Sequence, residues 1–138
     1  MSTDLNKLYS LLHKNYKEMT TWDVYKAEVE SGHLAWGILH TEKFFKENAK
    51  AMEGCDGDFS LVRALIKLVV SDDDEVAAVA CFDIGEFARH YPNGRIIAKR
   101  LGAKSVVMGM IEHENVDIQR HALSCVSKMM VQNWASVN

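Results

Sequence analysis

Six histidines, three cysteines and nineteen acidic residues supply the side chains from which a metal site or an acid/base pair could be built. Asp83 and Glu86 stand three residues apart, which on a helix sets both carboxylates on one side, as general acid/base chemistry would require. The plainer reading of that spacing is two carboxylates that meet a neighbouring structural unit or water. Asp56-Gly57-Asp58-Phe59-Ser60 opens like a calcium loop, but the positions that must hold glycine and a chelating glutamate hold Leu61 and Lys67. Gly102-Ala103-Lys104-Ser105 has the end of a phosphate-binding loop without the preceding glycine at the required spacing. His113 and His121 could share a helix side, yet no cysteine or carboxylate completes a metal set, so the histidines read as surface or hydrogen-bonded residues. Cys55, Cys81 and Cys125 form no C-x-x-C pair, and Cys81 and Cys125 fall in apolar patterns where a thiol behaves as a small buried hydrophobe. The sequence therefore predicts no catalytic residue, cofactor, metal or small-molecule substrate.

Two charged stretches could bind a partner. Ser71, Asp72, Asp73, Asp74 and Glu75 form an acidic turn, and Arg95, Lys99, Arg100 and Lys104 form a basic counterpart. Each can be a solvated helix end or face, or a surface that docks a partner of opposite charge. The whole chain is unevenly charged: residues 54–92 hold three basic and eight acidic groups, net −5, whereas residues 93–138 hold six and three, net +3. A chain of formal charge −3 is a poor nucleic-acid binder, because that affinity rests on neutralising phosphates. A dipolar surface suits protein partners instead.

The elements that must position these residues are written twice. Val76, Ala80, Ile84 and Phe87 mark one apolar seam, and Ile118, Ala122, Val126 and Met129 repeat it at a constant offset of 42 residues. Leu65 and Leu68 precede Val107 and Met110 by the same offset. A period in the low forties on helical spacing is the mark of HEAT or armadillo repeats, whose units stack because none buries its apolar face alone. The predicted fold is all-α, a HEAT/armadillo-like α-solenoid of about two three-helix repeats plus N-terminal helices.

Leu5, Leu8, Leu12, Tyr16 and Met19 keep helical spacing behind a Thr3-Asp4 cap. A second helix runs from Thr21 or Trp22 to Ser31-Gly32, and residues 31–40 form an ordered irregular connection. Thr41 opens the next helix, with Phe44, Phe45, Ala49 and Met52 inward. Phe59 to Val70 is so apolar that burial over most of its girth is expected. Further helices are predicted at 74–90, 95–101, 103–111 and 116–134. One domain of 138 residues results, with a cap and connection at 1–40, a first repeat at 41–92 and a second at 93–138. Trp36, Phe44, Phe45 and Trp134 read as core rather than contact residues. No apolar run is long enough to span a bilayer and no glycosylation sequon occurs, so direct membrane insertion is not expected and a cytoplasmic location is.

Four stretches are more specific than repeat architecture requires: SGHLAW (31–36), HTEKFFKENA (40–49), FDIGEFARHYPNGR (82–95) and MMVQNW (129–134). Together they resemble the C-terminal domain of the regulatory H subunit of vacuolar-type proton-translocating ATPases, from about Tyr25 to Trp134. The most diagnostic run is Asp83-x-Gly85-Glu86-x-x-x-His90-Tyr91-Pro92-x-Gly94. The chain departs from the family at Trp36-Gly37-Ile38-Leu39-His40, where W-S-P-V-H is common, and at Phe44-Phe45, where Phe-Trp is common.

The resemblance implies a non-catalytic, all-helical regulatory component, peripheral on the cytosolic face of endomembranes through the pump. Its expected partners are the soluble catalytic sector with its rotor, and the cytosolic part of the large membrane-sector subunit. Its expected roles are coupling of the two sectors and silencing of ATP hydrolysis once the soluble sector detaches. The residues assigned to partner contact are Ser71 to Glu75 with Arg95, Lys99 and Arg100. Two other readings compete: a HEAT-repeat adaptor in another cytosolic complex, and a HEAT-like DNA glycosylase, which the acidic balance disfavours.

Overall fold

Local signals set most helix limits. In the computed structural model, which describes residues 20–130, the order is α1 (Thr21–Ser31), α2 (Glu42–Asn48), a 3-10 turn (Ala49–Glu53), α3 (Ser60–Leu68), α4 (Asp74–His90), α5 (Gly94–Arg100), α6 (Ala103–Met108) and α7 (Val116–Met130). Among the described residues there is no strand. The predicted helix through Leu5–Met19 and the end of the last one, with Trp134, lie outside the described residues.

Thr20 and Asp23 form a reciprocal capping box at the start of α1, and Gly32 ends it in the left-handed region at φ 79°. Thr41 Oγ1 accepts from the Phe44 amide to start α2. Asp73 Oδ1 accepts from the amides of Glu75 and Val76 at 3.0 and 3.3 Å, and Asn115 Oδ1 accepts from Asp117 and Ile118 at 2.9 and 3.1 Å. These two caps stand 42 residues apart. The repeat therefore extends from the apolar seam to the residue that starts the helix.

The eight seam residues are all buried, as are Leu65 and Val107. Helix α4 occupies the middle, touching α2, α3, α5 and α7, while α1 leans on α3. Its small residues allow this. Ala77, Ala78, Ala80, Cys81, Gly85 and Ala88 are buried, and a Cβ added at Gly85 would lie 3.2 Å from Cys125 Cα on α7. The α4–α7 approach is thus set by a missing side chain.

The structure departs from the sequence expectation at residues 59–70. Helix α3 buries Leu61, Val62 and Leu65, but Arg63 and Lys67 face water and Val70 is 63% exposed. The enclosed helix is α4, because short side chains around its circumference let neighbours close in from several directions. Helix α6 also stops earlier than predicted, at Met108.

Candidate functional site

Two groups of residues carry polar function in this fold: a buried polar seam along α4 and a charged outer edge. The seam begins with Asp83, which lies fully buried among the apolar positions of α4. A carboxylate there requires partners. Tyr25 of α1 donates its hydroxyl to Asp83 Oδ2 at 3.1 Å, and His40 Nδ1 lies 2.8 Å from the same oxygen. His40 Nε2 faces Glu28 Oε1 across its other side. Both ring nitrogens therefore meet carboxylates, and only the imidazolium form can donate from both.

Burial alone would lower the His40 pKa, but the hydrogen bonds to Asp83 and Glu28 outweigh it and raise the group to about 9. Burial raises Asp83 to about 6 against the pull of His40 and Tyr25. The Tyr25 hydroxyl is pushed well above its ordinary value by burial and by the Asp83 charge. Among the described residues no buried side-chain polar atom lacks a partner. The chain Tyr25–Asp83–His40–Glu28 has the outline of a proton relay, but His40 and Asp83 are sealed from solvent. What it does is clamp the connection after α1 onto α4.

A pH dependence follows. Because the folded-state pKa of His40 exceeds its unfolded value, its contribution is complete below about 6.5 and is lost as pH rises through about 9. Denaturant midpoints measured from pH 7 to pH 10 should fall, and a His40→Gln variant, less stable at pH 7, should show a flatter alkaline limb.

Glu86, on the same helix, has a different allegiance. Its Oε2 accepts from Lys128 Nζ of α7 at 2.5 Å, and its Oε1 lies 3.2 Å from His90 Nε2. Glu42 reaches the same place from the start of α2, 3.2 Å from Arg89 and 3.6 Å from His90. Of the two carboxylates, Glu86 thus meets the neighbouring unit, as the sequence suggests, whereas Asp83 meets α1 and the connection.

The diagnostic run in the sequence coincides with this seam. Beyond Asp83, Gly85, Glu86 and His90, Tyr91 donates its hydroxyl to Glu53 at 2.6 Å and stacks on Phe87. That bond, with partial burial and the Glu53 charge, raises the Tyr91 pKa to about 12. A Cβ at Gly94 would stand 2.5 Å from the Phe87 carbonyl oxygen. These positions tie helices together; each has a packing reason.

The outer edge is built on the acidic turn. Ser71 Oγ accepts from the Asp73 amide, Asp73 caps α4, Asp74 accepts from Asn115 Nδ2 at 3.0 Å, and Glu75 accepts from the Trp36 amide at 3.0 Å. Asp72 is exposed and, among the described residues, makes no side-chain hydrogen bond or ion pair. The turn is consequently held from both sides, with one carboxylate free. Trp36 remains 42% exposed, packed against Phe82 and His121, while Phe44 and Phe45 are core. Burial lowers the His121 pKa, with help from Arg120.

Arg95 is committed inward, its Nε donating to the Lys128 carbonyl at 2.8 Å, and Lys104 is half-buried. Lys99 and Arg100 are exposed. The acidic turn and the basic helix sit at opposite ends of α4, about 25 Å apart along a helix of this length. They form two separate surfaces. Cys81 and Cys125 are buried, and burial raises the Cys81 thiol to about 12 and Cys125 higher still; Cys55 is exposed.

The buried clamp escaped the sequence reading because its members lie far apart: Asp83 is 43 residues from His40 and 58 from Tyr25. One signal was available, namely an acid set between Ala80 and Ile84 on the apolar seam.

Comparison with known proteins identifies the family by sequence. The sequence model of the V-ATPase H-subunit family matches residues 18–134. The H subunit of the V-type proton ATPase of Drosophila melanogaster is 38% identical over 136 residues, covering 97% of this chain and 29% of the relative. The probable V-type proton ATPase H subunit of Oryza sativa subsp. japonica is 36% identical over 129 residues, covering 92% of this chain and 28% of the relative. This chain spans less than a third of the length of these curated relatives. A match that takes in the whole polar seam, from Tyr25 to Lys128, places the chain in the V-ATPase H-subunit family.

Proposed function

We propose that this domain is a non-catalytic regulatory and bridging element of a V-type proton pump. It couples the soluble and membrane sectors and inhibits ATP hydrolysis by the detached soluble sector. The family match over residues 18–134 carries this reading. Its partners are the soluble catalytic sector with its rotor, and the cytosolic part of the large membrane-sector subunit. It resides on the cytosolic face of endomembranes through those partners; among the described residues no helix is long and apolar enough to cross a membrane. We read it as a cap and connection at 1–40, one repeat at 41–92 and a second at 93–138.

The acidic turn Ser71 to Glu75 is the contact of first choice, with exposed Lys99 and Arg100 as a second surface that Arg95, half-buried and bonded to the Lys128 carbonyl, borders. A braced turn costs little further ordering on binding, so its charges can fix orientation. The internal bonds of the turn dictate how to test it. Asp72→Lys should weaken binding to the detached soluble sector several-fold without lowering the melting temperature. Asp73→Ala should cost about 1 kcal/mol of stability through the lost cap, and so confounds the two effects. The decisive experiment mixes the purified chain with detached soluble sector and measures co-sedimentation and ATP hydrolysis together. Binding with loss of hydrolysis supports the proposal. Absence of both rejects it in favour of an adaptor in another complex.

A further inference from the structure

We propose that Glu42, Glu86 and His90 form a binding site for a divalent transition metal of the zinc class, at the junction of α2 and α4. The site is independent of the pump reading. One ligand atom from each of the three residues lies within 4.8 Å of the others. His90 Nε2 is 3.2 Å from Glu86 Oε1 and 3.6 Å from Glu42 Oε2. Tetrahedral zinc with bonds of about 2.0–2.1 Å separates its ligand atoms by about 3.3 Å, so these two edges have the right length before any ion enters.

The fold supplies the rest of such a site. The four-residue spacing of Glu86 and His90 puts both on one face of α4, and Glu42 reaches over from the first position of α2. The Glu86 side chain is 2% exposed and that of His90 13%, which makes a largely desolvated floor; Glu42, 45% exposed, keeps the cluster in contact with solvent, from which a fourth ligand would come. Lys128 engages Oε2 of Glu86 and leaves Oε1 facing His90. An outer partner of this kind orients a ligating carboxylate. The imidazole favours zinc-class ions over magnesium and calcium, which prefer oxygen ligands.

The seat has a competitor. Arg89 lies 3.2 Å from the Glu42 oxygen nearest His90, and its side chain is half-exposed and can swing into water. Metal binding displaces Arg89 from Glu42, while Lys128 stays. Removing the arginine should therefore tighten the site, an effect that adventitious zinc on surface histidines would not show.

The test is a titration of the purified chain with Zn2+ by calorimetry, paired with the visible absorption of Co2+ as a report on coordination. Glu42→Gln and Arg89→Gln both change exposed side chains and leave the buried floor intact. The expected result is one ion per chain, with affinity about ten-fold or more weaker in Glu42→Gln and several-fold tighter in Arg89→Gln. Bound zinc should also raise the melting temperature of the parent chain. Zinc binding that neither substitution moves, or no binding at all, overturns the site.

Discussion

Replacing Asp83 with alanine is expected to lower the unfolding free energy by about 3–5 kcal/mol, a large share of the stability of a domain this size. The cause is what remains behind. His40 loses the carboxylate that its Nδ1 faces, and the Tyr25 hydroxyl is left buried without an acceptor. The connection between α1 and α2 loses its anchor on α4. Asp83→Asn, which keeps an acceptor for Tyr25 but removes the charge, should fall between the two. Urea denaturation of the parent and both variants at pH 7 checks the order. Equal stability of Asp83→Ala and the parent would mean that the clamp contributes nothing to the fold.

Gly94→Ala is expected to cost about 2–3 kcal/mol even though it adds one methyl group. The added Cβ would meet the Phe87 oxygen at 2.5 Å, the Ala88 oxygen at 2.9 Å and Ala88 Cα at 3.0 Å. All three are backbone atoms of the last turns of α4, so no side chain can rotate away. Relief requires α5 to lift from α4. The contrast is Gly102→Ala, where no atom lies within 4 Å of the added Cβ and the cost is that of a φ of +93° in a residue with a side chain. Thermal melts of the two variants should separate a clash from a backbone preference, with the larger loss at Gly94.

The fold was legible where local rules act. The offset of 42 residues located both seams, and Thr41, Ser31-Gly32 and the acidic turn located helix ends because caps and stops are properties of a few adjacent residues. Relative burial of helices was less legible. Residues 59–70 are more apolar than 74–90, yet alanine, cysteine and glycine allow close approach on several faces, and apolar content does not report that. The clamp on Asp83 was not legible in pairing, since nothing local couples positions 25, 40 and 83. Its presence was encoded all the same: the polar residues that made the run 83–94 distinctive are those that the fold buries or pins. The candidate surface at Ser71 to Glu75 was visible as charge, but only the structure separates Asp72, which makes no side-chain bond among the described residues, from Asp73, Asp74 and Glu75, which are bonded internally.

The central place of α4 bears on how this domain comes apart. Long repeat arrays can fray, an end unit melting while the remainder persists. Here α7 lies directly against α4, and the Cβ-free face of Gly85 is filled by Cys125. Detaching α7 would open a trench beside Cys81 and Gly85, and would strand the Glu86 carboxylate without Lys128. Amide protons along α4 should then exchange with solvent only through global opening, giving the molecule the all-or-none melting of a small globule despite its repeated sequence.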